Sequence, residues 1–263
     1  MKDTMLYRTK NSHMKNYQNE FESRVTFIRN ALKDSGAQGV VYGNSGGKDS
    51  ALVGILCKAA CENTLGVIMP CGSSCNCNGD MDDAKTVAEQ YKIDTKTVNL
   101  SRIRDGLVKL LEPEEKASAN IAPRLRMITL YAFAASENRL VAGTGNRSEG
   151  YMGYFTKWGD GAYDFNPIAD LTVTEIYEFL RFLKAPESII NKAPSAGLFD
   201  GQTDEAEMGV TYSEIDDFLL NGKASKDAEV VIAKYHITSE HKRRMPLVYL
   251  KNRFGDERVS ADG

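Results

Sequence analysis

Ser45-Gly46-Gly47-Lys48-Asp49-Ser50 stands where an apolar run, Gly39-Val40-Val41-Tyr42, gives way to a helical pattern of Ala51, Leu52, Ile55, Leu56 and Ala59. A strand that breaks into small residues and then opens a helix presents free backbone N–H groups at the positive end of the helix dipole, a geometry that binds phosphate. The run departs from the Walker A pattern at two positions: Tyr42 replaces the first glycine, and Asp49 stands where a magnesium-binding Ser or Thr belongs. A carboxylate beside a polyphosphate is repelled unless a cation lies between them, so Asp49 reads as a magnesium ligand. A glycine-rich strand–helix turn with no ligand is the plain alternative. Generic turns seldom combine paired glycines, a lysine and an aspartate at a helix start.

Outward from this loop, strand and helix patterns alternate. Tyr17, Phe21, Val25, Ile28 and Leu32 repeat at helical spacing and predict an amphipathic helix that ends near Ser35-Gly36. Leu65-Gly66-Val67-Ile68-Met69 reads as a buried strand closed by Pro70, and Met81, Ala84, Val87 and Tyr91 mark a helix. Residues 95–100 read as a third strand, with Ile103, Leu107 and Leu110 on a helix beyond it. Residues 112–116 read as a charged connector. A long helix carrying Leu125, Ile128, Tyr131 and Ala135 then runs into the strand Arg139-Leu140-Val141-Ala142. Such alternation predicts an α/β fold, a doubly wound, Rossmann-like parallel sheet with helices on both faces. In that fold ligands bind beyond the carboxyl ends of the strands, where the Ser45 loop, a cysteine loop and the loop at 143–149 should converge.

Residues 144–170 and 192–209 show little periodicity, and long irregular stretches inside a compact domain are usually functional. Helices return at 174–183, 213–220 and 226–235, giving a helical C-terminal elaboration. The chain is expected to form one domain over residues 1–263, with 1–15 flexible and 247–263 a poorly defined tail.

Composition restricts the function further. With 263 residues, 42% hydrophobic and 26% charged, the chain has the profile of a soluble globular protein. A formal charge of −3 argues against a nucleic-acid partner. No stretch has the length of a membrane span and residues 1–15 are polar, so neither membrane nor export is expected and the location reads as cytoplasmic. Five cysteines (Cys57, Cys61, Cys71, Cys75, Cys77) fall in one region with no histidine nearby, which favours free thiols over a zinc site.

The loop on its parallel sheet resembles that of the ATP pyrophosphatase (PP-loop) enzymes, of adenine nucleotide alpha hydrolase-like fold. Further motifs narrow the resemblance to the ammonia-dependent NAD synthetases. These are Asn120-Ile121-x-x-Arg124-x-Arg126-Met127, Gly143-Thr144-Gly145-Asn146-x-x-Glu149, Gly153-Tyr154-Phe155-Thr156-Lys157, Gly159-Asp160-Gly161-Ala162-x-Asp164, Lys192-Ala193-Pro194-Ser195-Ala196-Gly197-Leu198, Thr203-Asp204-Glu205, Gly209-Val210-Thr211-Tyr212 and Glu240-His241-Lys242-Arg243-Arg244. The resemblance implies ATP as co-substrate, Mg²⁺, a homodimer, and amidation of deamido-NAD by ammonia through an acyl-adenylate, with loss of pyrophosphate and AMP. It implies that Gly43, Asn44, Ser45, Gly46, Gly47, Lys48, Asp49 and Ser50 wrap ATP, joined by Thr144 and Ser195. Asp49 and Glu149 would hold the metal, and Arg124, Lys157, Asp164, His241 and Lys242 would line the dinucleotide.

The residues themselves leave other readings open. Glu149 could cap a local turn; Arg124 and His241 could be solvated surface groups; Lys157 and Asp164 rest mostly on the resemblance. Asp160 is expected to orient ammonium and take its proton. Val173 departs from the resemblance: the phosphate-binding lysine implied two residues past Leu171 is missing, so either another base such as Lys48 takes over or pyrophosphate leaves more slowly. The cysteines at 71–78 suggest a redox-sensitive lid. The chain shows no glutaminase-like segment, so ammonia is expected from solution or a separate partner. A non-catalytic nucleotide sensor and another PP-loop ligase, including a tRNA-modifying one, are the rival readings.

Overall fold

A computed structural model describes residues 16–72, 77–192 and 204–249. The chain order is α1 (Tyr17–Ser35), β1 (Gly39–Gly43), α2 (Lys48–Ala60), β2 (Thr64–Ile68), α3 (Cys77–Tyr91), β3 (Asp94–Thr97), α4 (Ser101–Leu111), α5 (Glu115–Ala119), α6 (Ile121–Glu137) and β4 (Arg139–Ala142). The second half is helical: α7 (Arg147–Met152), α8 (Val173–Phe182), α9 (Glu187–Ile190), α10 (Asp204–Met208), α11 (Tyr212–Asn221), α12 (Lys226–Thr238) and α13 (Glu240–Arg243).

The four strands form one parallel sheet in the order β3-β2-β1-β4. Period-two alternation sends neighbouring residues of β1 into separate cores, as both-face burial of a parallel sheet requires. Val40 and Tyr42 join Leu52 and Leu56 of α2, Ile28 of α1 and Phe179 of α8. Val41 joins Val67, Val141 and Ala134, against Leu130 and Phe133 of α6. Helices therefore cover both faces, and α2, sandwiched in the first core, is buried from Ser50 to Cys57 because it is apolar all round. β3 is exposed at every position, and its polar sequence Asp-Thr-Lys-Thr suits a sheet edge. A third core, Met152, Val173, Met208, Tyr212, Ile215 and Ile232, joins α7 and α8 to the C-terminal helices.

Tyr42, in the place of the first Walker glycine, is fully buried. Gly54 of α2 is required there, because a Cβ at that position would lie 2.3 Å from the Tyr42 hydroxyl oxygen.

Four expectations are corrected. The connector at 112–116 runs into α5, whose five residues are too few to show a period. The third strand stops at Thr97, where the chain turns toward the N-terminus of α4. The irregular stretches at 144–170 and 192–209 contain α7 and α10, one or two turns each. Ser195, Thr203, Cys75, and residues 1–15 and 250–263 lie outside the described residues; of Cys77 only its place at the start of α3 is described. Cys57, Cys61 and Cys71 form no disulfide among the described residues.

Candidate active site

β1 and β4 are adjacent in the sheet, but the chain leaves β1 toward β2 on its other side, so the order reverses between them. That switch point is where parallel sheets bind ligands. From β1 the chain enters Asn44–Gly47. The Asn44 amide donates to Val67 O (2.9 Å), and its side chain donates to Ala84 O (3.0 Å), pinning the loop to β2 and α3. Gly46 takes φ = +76°, and any Cβ there would meet Asp80 O at 2.0 Å, so only glycine fits. Ser45 and Ser50 share a hydroxyl–hydroxyl bond of 3.1 Å across the turn. Gly47 is the N-cap of α2, and no side chain caps that helix, leaving its first amides for an anion.

From β4 the chain passes through Thr144 into α7, whose N-terminus is closed by its own residues. Asn146 Oδ1 accepts from the Glu149 amide (2.9 Å) while Glu149 Oε2 accepts from the Asn146 amide (3.1 Å). Asn146 Nδ2 also donates to Asp49 Oδ1 at 3.1 Å. One asparagine thus bonds both acids singled out in the sequence, and Glu149 caps the turn while facing Asp49. Burial, followed by the Asp49 charge, pushes the Glu149 carboxyl well above the usual carboxylate range. Lys48 is buried with its ammonium 2.8 Å from Asp49 Oδ2. Desolvation alone would lower it, but Asp49 and Glu149 outweigh that and keep it charged.

Asp204, Tyr212 and Tyr177 surround this pair. The Tyr212 hydroxyl donates to Asp204 Oδ2 (3.0 Å), and its phenol is raised by burial and then by the charges of Glu149 and Asp204. Buried Asp216 accepts from Ser148 Oγ (2.5 Å), Thr174 N (2.7 Å) and Thr174 Oγ1 (2.6 Å), tying the helix of Glu149 to α8 and α11. Val173 begins α8 inside the third core. Sequence reasoning assigned no role to Asn146, Asp204, Tyr212 or Asp216. Asn146, Asp204 and Tyr212 lie in motifs that carry the resemblance, and the Asn-x-x-Glu spacing of a capping box was a further readable signal.

A second group gathers Arg124 and Arg126 of α6, the turn at 153–161, and α13. Lys242 Nζ donates to Gly153 O (2.8 Å) and Phe155 O (2.7 Å), and Lys157 Nζ to His241 O (2.6 Å). Asp160 Oδ1 accepts from the Thr156 amide (3.0 Å). The residue is exposed, yet neighbouring atoms crowd its carboxyl and raise it, against the lowering effect of Thr156 N–H, Lys242 and Arg126. Desolvation lowers Lys242 in turn, against the pull of Asp160. Asp164 lies apart from this group, accepting from Val141 N (2.8 Å) and the Tyr131 hydroxyl (3.2 Å) beside β4.

Among the described residues no three His, Cys, Asp or Glu side chains converge on a metal position. Two acids facing an uncapped helix start suit magnesium all the same, because that ion keeps water and substrate phosphates among its ligands.

This geometry coincides with a match of the NAD synthase family model to residues 20–258. The chain belongs to the NAD synthase family. It is 48% identical over 240 residues to an NH₃-dependent NAD⁺ synthetase of Carboxydothermus hydrogenoformans, covering 89% of this chain and 98% of the relative. Among solved structures of the family, an NMN synthetase from Francisella tularensis superposes with a TM-score of 0.85 at 37% identity, covering 90% and 99%. An NH₃-dependent NAD synthetase from Campylobacter jejuni gives 0.75 at 32%, covering 90% and 100%. Among the described residues no helix is long and apolar enough to cross a membrane.

Proposed function

We propose that Asp49 and Glu149, joined through Asn146 beside the uncapped start of α2, hold the magnesium of Mg·ATP in an ATP-dependent amidation of deamido-NAD. The reaction joins ammonia to the nicotinate carboxyl and forms a C–N bond, giving NAD. The carrying observation is the double use of Asn146, whose backbone amide and side-chain amide hold the Glu149 and Asp49 carboxylates beside the uncapped start of α2. Mg²⁺ would supply the positive charge that a triphosphate and two carboxylates together demand.

The chain's own residues do the rest. The amides of the first turn of α2 receive phosphate oxygens, with Gly43, Asn44, Ser45, Gly46, Gly47, Ser50, Thr144 and Ser195 completing the ATP site. The nicotinate carboxylate attacks the α-phosphorus, pyrophosphate departs, and ammonia replaces AMP on the acyl carbon. Asp160 attracts ammonium and takes its proton at a carboxylate oxygen. Arg124 and Lys157 supply cations for the substrate phosphates. Lys242 and His241 hold the turn that carries Asp160, and Asp164 braces the wall at β4.

The same reading places the chain in the cytoplasm and makes it a homodimer. Two apolar surfaces support the dimer: α4 is amphipathic yet has no buried residue and exposes Ile103, Leu110 and Leu111, and α6, which it contacts, exposes Ile128. Its check is sedimentation equilibrium.

The Francisella likeness favours a second reading, in which nicotinate mononucleotide replaces the dinucleotide. Incubation with ATP, Mg²⁺, ammonium and each nucleotide in turn separates the two. NAD and AMP from deamido-NAD are expected; ADP as the sole product, or no turnover with either, rejects both.

A further inference from the structure

Both oxygens of Asp49 are already engaged: Oδ1 accepts from Asn146 Nδ2 at 3.1 Å and Oδ2 from Lys48 Nζ at 2.8 Å. The ammonium lies in a closed setting. Lys48 is 7% exposed, with its nitrogen 5.8 Å from the Tyr212 ring centroid and 6.0 Å from that of Tyr177. The carboxyl groups that face it are those of Asp49 and Glu149. An ammonium removed from water costs several kcal/mol unless carboxylates compensate, so the Lys48–Asp49 contact is one the fold maintains. A cation approaching Asp49 Oδ2 meets a nitrogen already there.

We propose that Lys48 is a built-in counter-ion that fills the cation position of Asp49 and Glu149 in the absence of nucleotide and so couples metal binding to triphosphate binding. The inference rests on the Asp49–Glu149 metal site proposed above. Without nucleotide, a divalent ion must break the buried Lys48–Asp49 ion pair to reach Asp49 Oδ2. With triphosphate on α2, the displaced ammonium gains a new anionic partner one residue from the helix start. Metal and nucleotide then bind together more tightly than either binds alone, which is coupling in the thermodynamic sense. Lys48 acts here as a positioning residue.

The probe is Mn²⁺, titrated by electron paramagnetic resonance into wild type, K48M and K48R, with and without a non-hydrolysable ATP analogue. Wild type and K48R should bind Mn²⁺ weakly without nucleotide, and K48M about tenfold or more tightly, since a unit positive charge beside the site is gone. The enhancement of Mn²⁺ affinity by nucleotide should shrink in K48M by the same factor. Unchanged or weaker Mn²⁺ binding by K48M without nucleotide overturns the proposal. If K48M does not fold without a divalent ion, recovery of its cooperative melt by millimolar Mn²⁺ supports the proposal, and failure to recover overturns it. E149Q separates this outcome from failure of the metal site itself: nucleotide-dependent Mn²⁺ binding that survives E149Q removes the Asp49–Glu149 reading, whatever Lys48 does.

Discussion

Two helices begin at the switch point of the sheet, and their first turns are opposites. α2 starts at Gly47 with no side-chain cap and is buried along most of its length. α7 is six residues long, starts at Asn146, and satisfies its own N-terminus with a capping box. At α7 the capping box takes the Asn146 and Glu149 amides and Leu171 O takes that of Arg147, whereas an uncapped helix start needs a partner. The contrast divides the labour: α2 offers amides, and α7 spends its cap on holding acids. Asn146 joins the two ends through Asp49.

Replacing Glu149 attacks α7's half of that division and should have the largest effect. Glutamine at the third helical position still completes a capping box, so E149Q should fold. It loses the metal-binding charge, and kcat/KM should fall by about two to three orders of magnitude. Steady-state NAD formation at saturating Mg²⁺ measures this. Activity within about threefold of wild type would move the metal elsewhere.

Asn146 sharpens the comparison, because its cap and its bond to Asp49 are separable. N146A should lose about 1 kcal/mol of stability with the cap and about ten- to a hundredfold in activity with the support of Asp49. N146D restores an acceptor for the Glu149 amide but places a third anion against Asp49. Its melting temperature should recover while its activity does not. Parallel recovery of both would show that the cap alone matters.

Much of this frame was legible in the sequence. β1 and the start of α2 could be read because apolar runs, glycines and a period change coincide within a dozen residues. The 143–149 loop could be read for its small residues and its acid. The direction of Lys48 could not, since the tyrosines beside it come from α8 and α11, well over a hundred residues away. Asp216 was hidden for the same reason: on α11 it is one acid among several, and only packing against Ser148 and Thr174 separates it from the solvent-facing ones. α5, α7 and α10 escaped notice because five or six residues cannot display a 3.6-residue period.

The paired acids also predict a pH response smaller than either substitution. Glu149 is raised in the folded chain, so over the range above the ordinary glutamate value of about 4.3 the folded state holds a proton that the unfolded state has lost. Stability without ligands should therefore fall as pH rises between about pH 5 and pH 7. E149Q should flatten that slope in thermal melts. Lys48, raised as well, contributes stability that is lost only at strongly alkaline pH, outside this window. A slope unchanged in E149Q would assign the effect to another group, with raised, buried Asp216 the next to replace.

The smallest effect concerns what lies behind α2 rather than in front of it. The Tyr42 hydroxyl is buried, between Gly54 and Gly66, with no hydrogen-bond partner among the described residues. A buried hydroxyl with no hydrogen bond destabilises, so Y42F should raise stability by about 0.5–1 kcal/mol, or about 2 °C in melting temperature. G54A, which drives a methyl against that oxygen, should cost about 1–3 kcal/mol. The two changes share one contact and cannot be additive: G54A should cost less in a Y42F background, where the nearest obstructing atom is gone. Strict additivity would mean that the ring of Tyr42, and not its hydroxyl, sets how closely α2 approaches the sheet, and the phosphate-binding turn would then owe its position to the aromatic face alone.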